Sequence, residues 1–165
     1  MSMPSGNFKE MDRKELVGKL RNALKGEKVI QEILKKYELD DSVLDHLSIR
    51  FEPLDVSAKT VDGNIILNEN LLDCEWRDIM RYLVHETCHV GQQATSDVTE
   101  TQDGDYLDDE NEVEAFQTQI DYMEGDGHDE MVYCPEEIQQ YIDDLMDHHG
   151  LRGKERRKKI EELLE

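Results

Sequence analysis

Apolar residues recur every three or four positions through most of this chain, and that spacing predicts helices. Lys9 to Ala23 carries Leu16, Leu20 and Ala23 on one face. Lys28 to Tyr37 carries Ile30, Ile33 and Leu34, and the two segments part near Gly26. From Leu47 to Leu54 the period drops to two, with Leu47, Ile49 and Phe51 set against Ser48, Arg50 and Glu52. That alternation predicts a strand, and Pro53 suits its end or an edge. Thr60-Val61, Asp62-Gly63 and Ile65-Ile66-Leu67 predict a hairpin, or a strand that begins just after a tight turn. Helical spacing returns from Glu75 to Val90, with Trp76, Ile79, Met80, Leu83, Val84, Thr87 and Val90 inward and Arg77, Asp78 and Arg81 outward. Asp73 is the expected N-cap, and Glu75 is a favourable first-turn charge.

Beyond Gln93 the pattern lapses. Ala94 to Asn111 is polar and acidic and predicts a loop of the long kind that often carries function. A helix follows from about Asp109 to Met123, stopped by Gly125-Asp126-Gly127. Pro135 opens another, Glu136 to His149, with Ile138, Tyr141, Ile142 and Leu145 as its stripe and Gly150 as its end. Lys154 to Leu164 reads as a short charged helix. The fold class expected is α+β, mainly helical, with a small sheet beside the Glu75–Val90 helix. The organisation expected is a disordered lead-in (1–8), one domain (9–150) and a short C-terminal helix (151–165). At 165 residues one domain with a real core is the natural reading.

Charge narrows the partners. The net charge is −21, and residues 1–151 hold 13 of the 19 basic and 36 of the 40 acidic residues. Such a balance disfavours nucleic acid and anionic membrane, and fits either a basic peptide partner or a well-solvated surface. No run of about 18 apolar residues predicts a membrane span, and Met1 to Glu10 lacks the apolar core of a secretory signal. Three scattered cysteines, Cys74, Cys88 and Cys134, without a CxxC pair, read as reduced thiols in a cytosol-like compartment. Oligomeric state is not encoded in these features.

The chemistry concentrates in His85-Glu86-Thr87-Cys88-His89. On a helix, positions i and i+4 share a face, so both imidazoles can grip one metal ion. Glu86 stands roughly 100° around the helix, where it can reach a water on the open side of that metal. Zinc held this way lowers the pKa of its water to about 7, and the glutamate takes the proton. A chain of this composition would contain the pattern by chance in roughly 3 cases per 100, so the helix around it matters. The alternative is a pair of satisfied core histidines. Cys88 reads as a packed small side chain.

A catalytic zinc site needs a third protein ligand. The helix starting near Asp109 offers Glu110, Glu112 and Glu114. With Glu112 at 0°, Met123, Phe116, Ile120 and Val113 fall at roughly 20°, 40°, 80° and 100°. Glu112 therefore lies on the buried side, whereas Glu110 at roughly 160° and Glu114 at roughly 200° face water. A buried carboxylate costs several kcal/mol unless it meets a cation, and a metal would supply one. Otherwise Glu112 is a boundary residue with a packed stem and a wet head.

His85-Glu86-Thr87-Cys88-His89-Val90-Gly91-Gln92-Gln93 followed by Asn111-Glu112-Val113-Glu114-Ala115-Phe116-Gln117 resembles the gluzincin branch of zinc metallopeptidases. It is most similar to the small minimal metallopeptidase domains of bacteria and phages, many of which continue the motif into a Gln-Gln pair. The resemblance covers residues 47 to 123. It implies a zincin-like fold, zinc held by His85, His89 and Glu112, Glu86 as general base, and an edge strand at 64–68 pairing with an extended peptide substrate. Phe116 stands where an acidic residue often braces a histidine, so Glu114, Asn111 or a backbone carbonyl is expected to do so. Tyr106 is the expected oxyanion stabiliser, with Tyr122, Tyr133 and His128 as rivals. His46, His148 and His149 have no motif support. The competing class is a non-catalytic module that keeps the fold for metal or partner binding.

Overall fold

The computed structural model describes residues 8–94, 100–101 and 110–164. Helix α1 (Arg13–Gly26) starts where Asp12 accepts the Glu15 N–H at 3.1 Å, and it buries Leu16, Leu20 and Leu24 at four-residue spacing. Each fully buried leucine contributes roughly 1.5–3 kcal/mol. Helix α2 (Lys28–Lys36) and the short α3 (Ser42–His46) follow, then β1 (Ile49–Glu52), β2 (Ala58–Val61) and β3 (Asn64–Asn68). A 3-10 turn (Glu69–Asp73) leads into α4 (Trp76–Ala94). The two-residue β4 (Glu100–Thr101), α5 (Glu110–Met123), α6 (Pro135–His148) and α7 (Gly153–Leu164) complete the order. The chain is therefore mainly helical with a small sheet, the fold class its hydrophobic pattern predicts. No described helix is long and apolar enough to cross a membrane.

The sheet runs β1-β3-β2-β4, with β1 parallel to β3 and the other pairs antiparallel. Asp62 and Gly63, both with positive φ, make the tight turn that joins β2 to β3. The expected edge strand, 64–68, is instead the central one, flanked on both sides. Its physical signature is in the sequence: Ile65, Ile66 and Leu67 are all buried, and a continuous apolar run marks a strand covered on both faces.

Phe8 corrects the reading of 1–8 as a disordered lead-in. It is buried, its N–H donates to Leu72 O, and its ring lies against Trp76. Residues 1–7 lie outside the described residues. Asp73 is not the cap of α4: it closes the 3-10 turn and pairs with Lys9 at 3.0 Å. The cap is Glu75, whose N–H donates to the Asp78 carboxylate at 3.2 Å. Arg77 and Arg81 do not simply face water either, because α6 and the segment before it cover that flank of α4. Arg77 makes a bidentate pair with Glu137 at 2.7 and 3.1 Å and stacks on Tyr133. The charged C-terminal segment is helical, as expected, but α7 packs on α5 through buried Leu163 and a Gln117–Glu162 O hydrogen bond at 2.7 Å.

Gly91 sets how closely α2 approaches α4. A Cβ there would meet Tyr37 Cδ2 at 2.7 Å, well inside contact distance. Gly91→Ala should therefore lower stability: overpacking costs about 1–3 kcal/mol and outweighs the roughly 1 kcal/mol that alanine gains in a helix. Urea unfolding of the variant checks the sign, and a net stabilisation would contradict the close approach.

The Arg77 guanidinium beside Glu137 holds that carboxyl down to about 2, below its ordinary 4.5. A depressed carboxylate contributes stability above its unfolded pKa and loses it as pH falls through its folded one. Arg77→Gln should thus be less stable than the parent at pH 7, with the gap narrowing as pH falls from 4.5 to about 2. Urea midpoints for the two proteins across that range test it.

Candidate metal centre

Helix α4 packs its sequence-identified face against α5 and β2. His85, Glu86 and His89 are all buried, and their ligand atoms lie within 4.8 Å of one another. From α5, Glu112 enters the same space: its Oε1 is 3.5 Å from His85 Nε2 and in direct contact with His89 Nε2. Glu112 is 2% exposed, as its helical phase predicts. Burial raises its carboxyl, and only imidazoles that are protonated and donate to it from Nε2 outweigh that burial and hold it down to about 2.

Hydrogen bonding fixes how the histidines present themselves. His89 Nδ1 lies 2.7 Å from Gln92 Oε1, and Gln92 cannot turn over, because its Nε2 donates to Asn111 O and Glu114 Oε1, both at 2.9 Å. Nδ1 of His89 is therefore the donor. In the neutral ring that leaves the Nε2 lone pair directed at Glu112. His85 Nδ1 lies 2.9 Å from Gln119 Oε1, and the Phe116 ring packs edge-on to His85 at 4.7 Å. With His85 in the same tautomer as His89, two imidazole lone pairs and a carboxylate oxygen converge. Electrostatics requires a cation among them, a proton or a metal ion, and two imidazoles with a carboxylate suit zinc.

Glu86 is held differently. Thr60, fully buried on β2, donates to Glu86 Oε1 at 2.7 Å and lies 3.1 Å from Glu86 O. The strand thus sets the glutamate rotamer. The next residue pair of the motif, Gln92-Gln93, divides its labour. Gln92 braces His89. Gln93 clips the β2–β3 hairpin to α4 by accepting from Gly63 N at 2.8 Å and donating to Thr60 O at 3.0 Å.

The surroundings of the ligands bear on three expectations from the sequence. Glu114 does not face water: Tyr37 and Lys36 of α2 reach it, and it holds Gln92. It supports the site at one remove, as does Asn111, while the direct braces are Gln92 and Gln119. Both were findable by phase. Gln92 is one turn beyond His89, and Gln119 is seven residues past Glu112, roughly 20° off its direction. Second, Tyr106 lies outside the described residues. Its rivals are engaged elsewhere: Tyr133 donates to Asp78 at 2.6 Å, His128 pairs with Glu27 at 2.9 Å, and Tyr122 is buried beside His128. Third, His148 and Tyr141 of α6, passed over in the sequence, line a cleft of about 710 Å3 together with His85, Glu86, Tyr82 and Gln119. Cys88 is a packed thiol as expected, with burial pushing it up to about 12.

Gln92→Ala should weaken metal binding by roughly 10–100-fold, the usual cost of losing a group that orients a ligand. Glu114→Ala should weaken it less and in the same direction, since Gln92 then loses one of its two anchors. His85→Ala and His89→Ala should abolish tight binding. Competition titration with a chromophoric chelator measures all four, and a Gln92→Ala protein that binds like the parent would refute the bracing role.

Comparison of the chain with family models, with curated proteins and with solved structures returns no match, so the reading of this centre rests on its geometry.

Proposed function

We propose that this chain is a zinc-dependent peptidase of the gluzincin type, in which His85, His89 and Glu112 hold the ion and Glu86 handles the proton. The observation that carries the reading is the convergence of Glu112, from a separate helix, on the two Nε2 atoms of the motif. A bound zinc ion would supply Lewis acidity at the cleft, lowering the pKa of a coordinated water to about 7.

The chain's own residues do the rest. Glu86 accepts the proton lost by the attacking water and returns it to the leaving amine. Thr60 keeps that carboxylate in one rotamer before substrate arrives, so little reorganisation is needed. Gln92 holds the His89 imidazole in the tautomer that leaves Nε2 for the metal, and Gln119 contacts His85 Nδ1 from the same side of the site. Tyr141 and His148 face the same cleft, and a hydrogen bond from one of them to the scissile carbonyl oxygen would stabilise the charge it gains. A purely structural metal site would need neither Glu86 nor an open cleft, which weighs against the non-catalytic alternative.

Glu86→Gln separates the two classes. It should retain one zinc per chain and lose hydrolysis of a fluorogenic peptide library by at least about 100-fold, since the amide cannot accept the proton. Glu112→Ala should lose the zinc itself. A Glu86→Gln protein that cleaves like the parent would overturn the catalytic assignment, and full zinc occupancy in Glu112→Ala would overturn the ligand set.

A further inference from the structure

One buried amide shapes the loop between β1 and β2. Asn68, the last residue of β3, is 9% exposed, and its Nδ2 donates to Leu54 O and to Val56 O, both at 2.9 Å. Its Oδ1 accepts from Asn70 N at 3.0 Å, which fixes the orientation of the amide. Both donors are thus spent on the carbonyls that flank Asp55. The clamp sets where Asp55 stands, and Asp55 lines the same cleft as His85 and Glu86.

Asp55 is exposed, and among the described residues no hydrogen bond or ion pair engages its carboxylate. Glu86, the other carboxylate of the cleft, is already held by Thr60. No Lys or Arg lines the cleft to neutralise either. Leu54, Val56 and Leu145 supply apolar lining beside that charge. A carboxylate next to apolar surface suits a cation on an aliphatic stem, because the stem packs while the charged head is paired.

We propose that Asp55 is a substrate subsite that takes a cationic group of a peptide, an ammonium or a guanidinium. This rests on the peptidase reading and adds a substrate class to it. Asp55 precedes Thr60 by five residues, at most about 16–18 Å of extended chain, and Thr60 is where β2 meets Glu86. An extended peptide along that strand therefore covers the distance from Asp55 to the reacting bond in about five residues or fewer. The cation comes from a Lys or Arg side chain, or from the α-ammonium at a chain end. With a net charge of −21 the whole surface draws cations from a distance, whereas selection at Asp55 acts at contact.

Calorimetry on zinc-loaded Glu86→Gln protein decides it, with three peptide pools of equal length, all C-terminal amides without Asp or Glu. One is N-acetylated and neutral, the second is N-acetylated with one Lys or Arg, and the third is neutral with a free α-amine. The second should bind about fivefold tighter than the first, the upper range for an exposed ion pair, if a side chain is the ligand. The third should do so if the α-ammonium is. Asp55→Asn, which leaves the rest of the surface charge in place, should erase the advantage, and Asp55→Glu should restore part of it. Equal affinity for all three pools overturns the subsite, and so does a preference that survives in Asp55→Asn. Neither result touches the peptidase reading where the parent enzyme still cuts the neutral pool. Binding of no pool overturns both.

Discussion

A carboxylate removed from water between two imidazoles is the constraint around which this structure is arranged. Glu112 is 2% exposed and stands against His85 and His89, so α5 can dock on α4 only if that charge is compensated. Desolvating a lone carboxylate costs several kcal/mol, more than a few apolar contacts return. The stable solution brings the charged oxygen against the two imidazoles, with a proton or a metal ion between them. Packing of the two central helices is therefore tied to how that charge is compensated.

The sheet enters the chemistry through a single hydroxyl. Thr60 is the only polar group that β2 sends inward between Ala58 and the turn, and it holds Glu86. Register matters for that reason. Ala58 pairs with Leu67 and Thr60 with Ile65, and Gln93 ties the same hairpin to α4. A one-residue slip would turn Thr60 to the opposite face and point Lys59 at the glutamate.

Helical phase made much of this legible in the sequence. His85, His89 and Glu112 announce themselves by spacing and by the cost of burying them, and the helices and the Asp62-Gly63 turn follow from period and turn chemistry. What stayed hidden depends on contacts between distant segments. Nothing local says that β1 pairs in parallel with β3, and that pairing is what moves 64–68 from the edge to the centre. Glu114 has the phase of a solvated residue on α5 alone, and only the approach of α2 makes it a partner of Tyr37. Arg81 has the phase of an exposed residue on α4 alone, until α6 places Tyr141 over it.

The reach of Tyr37 and Lys36 to Glu114 bears on where this unit can be cut. The stretch from 47 to 123 holds the motif helix, the sheet and the glutamate helix, and it looks self-sufficient on paper. Excised, it would leave the Glu114 carboxylate half-covered without its ammonium and phenol partners, and it would strip Ile33 and Tyr37 from the cluster around Cys88 and Ala115. The second N-terminal helix is thus not an appendage to the stretch that follows. It backs the candidate metal centre, and a domain boundary drawn at the first strand would pass through the site's own foundations.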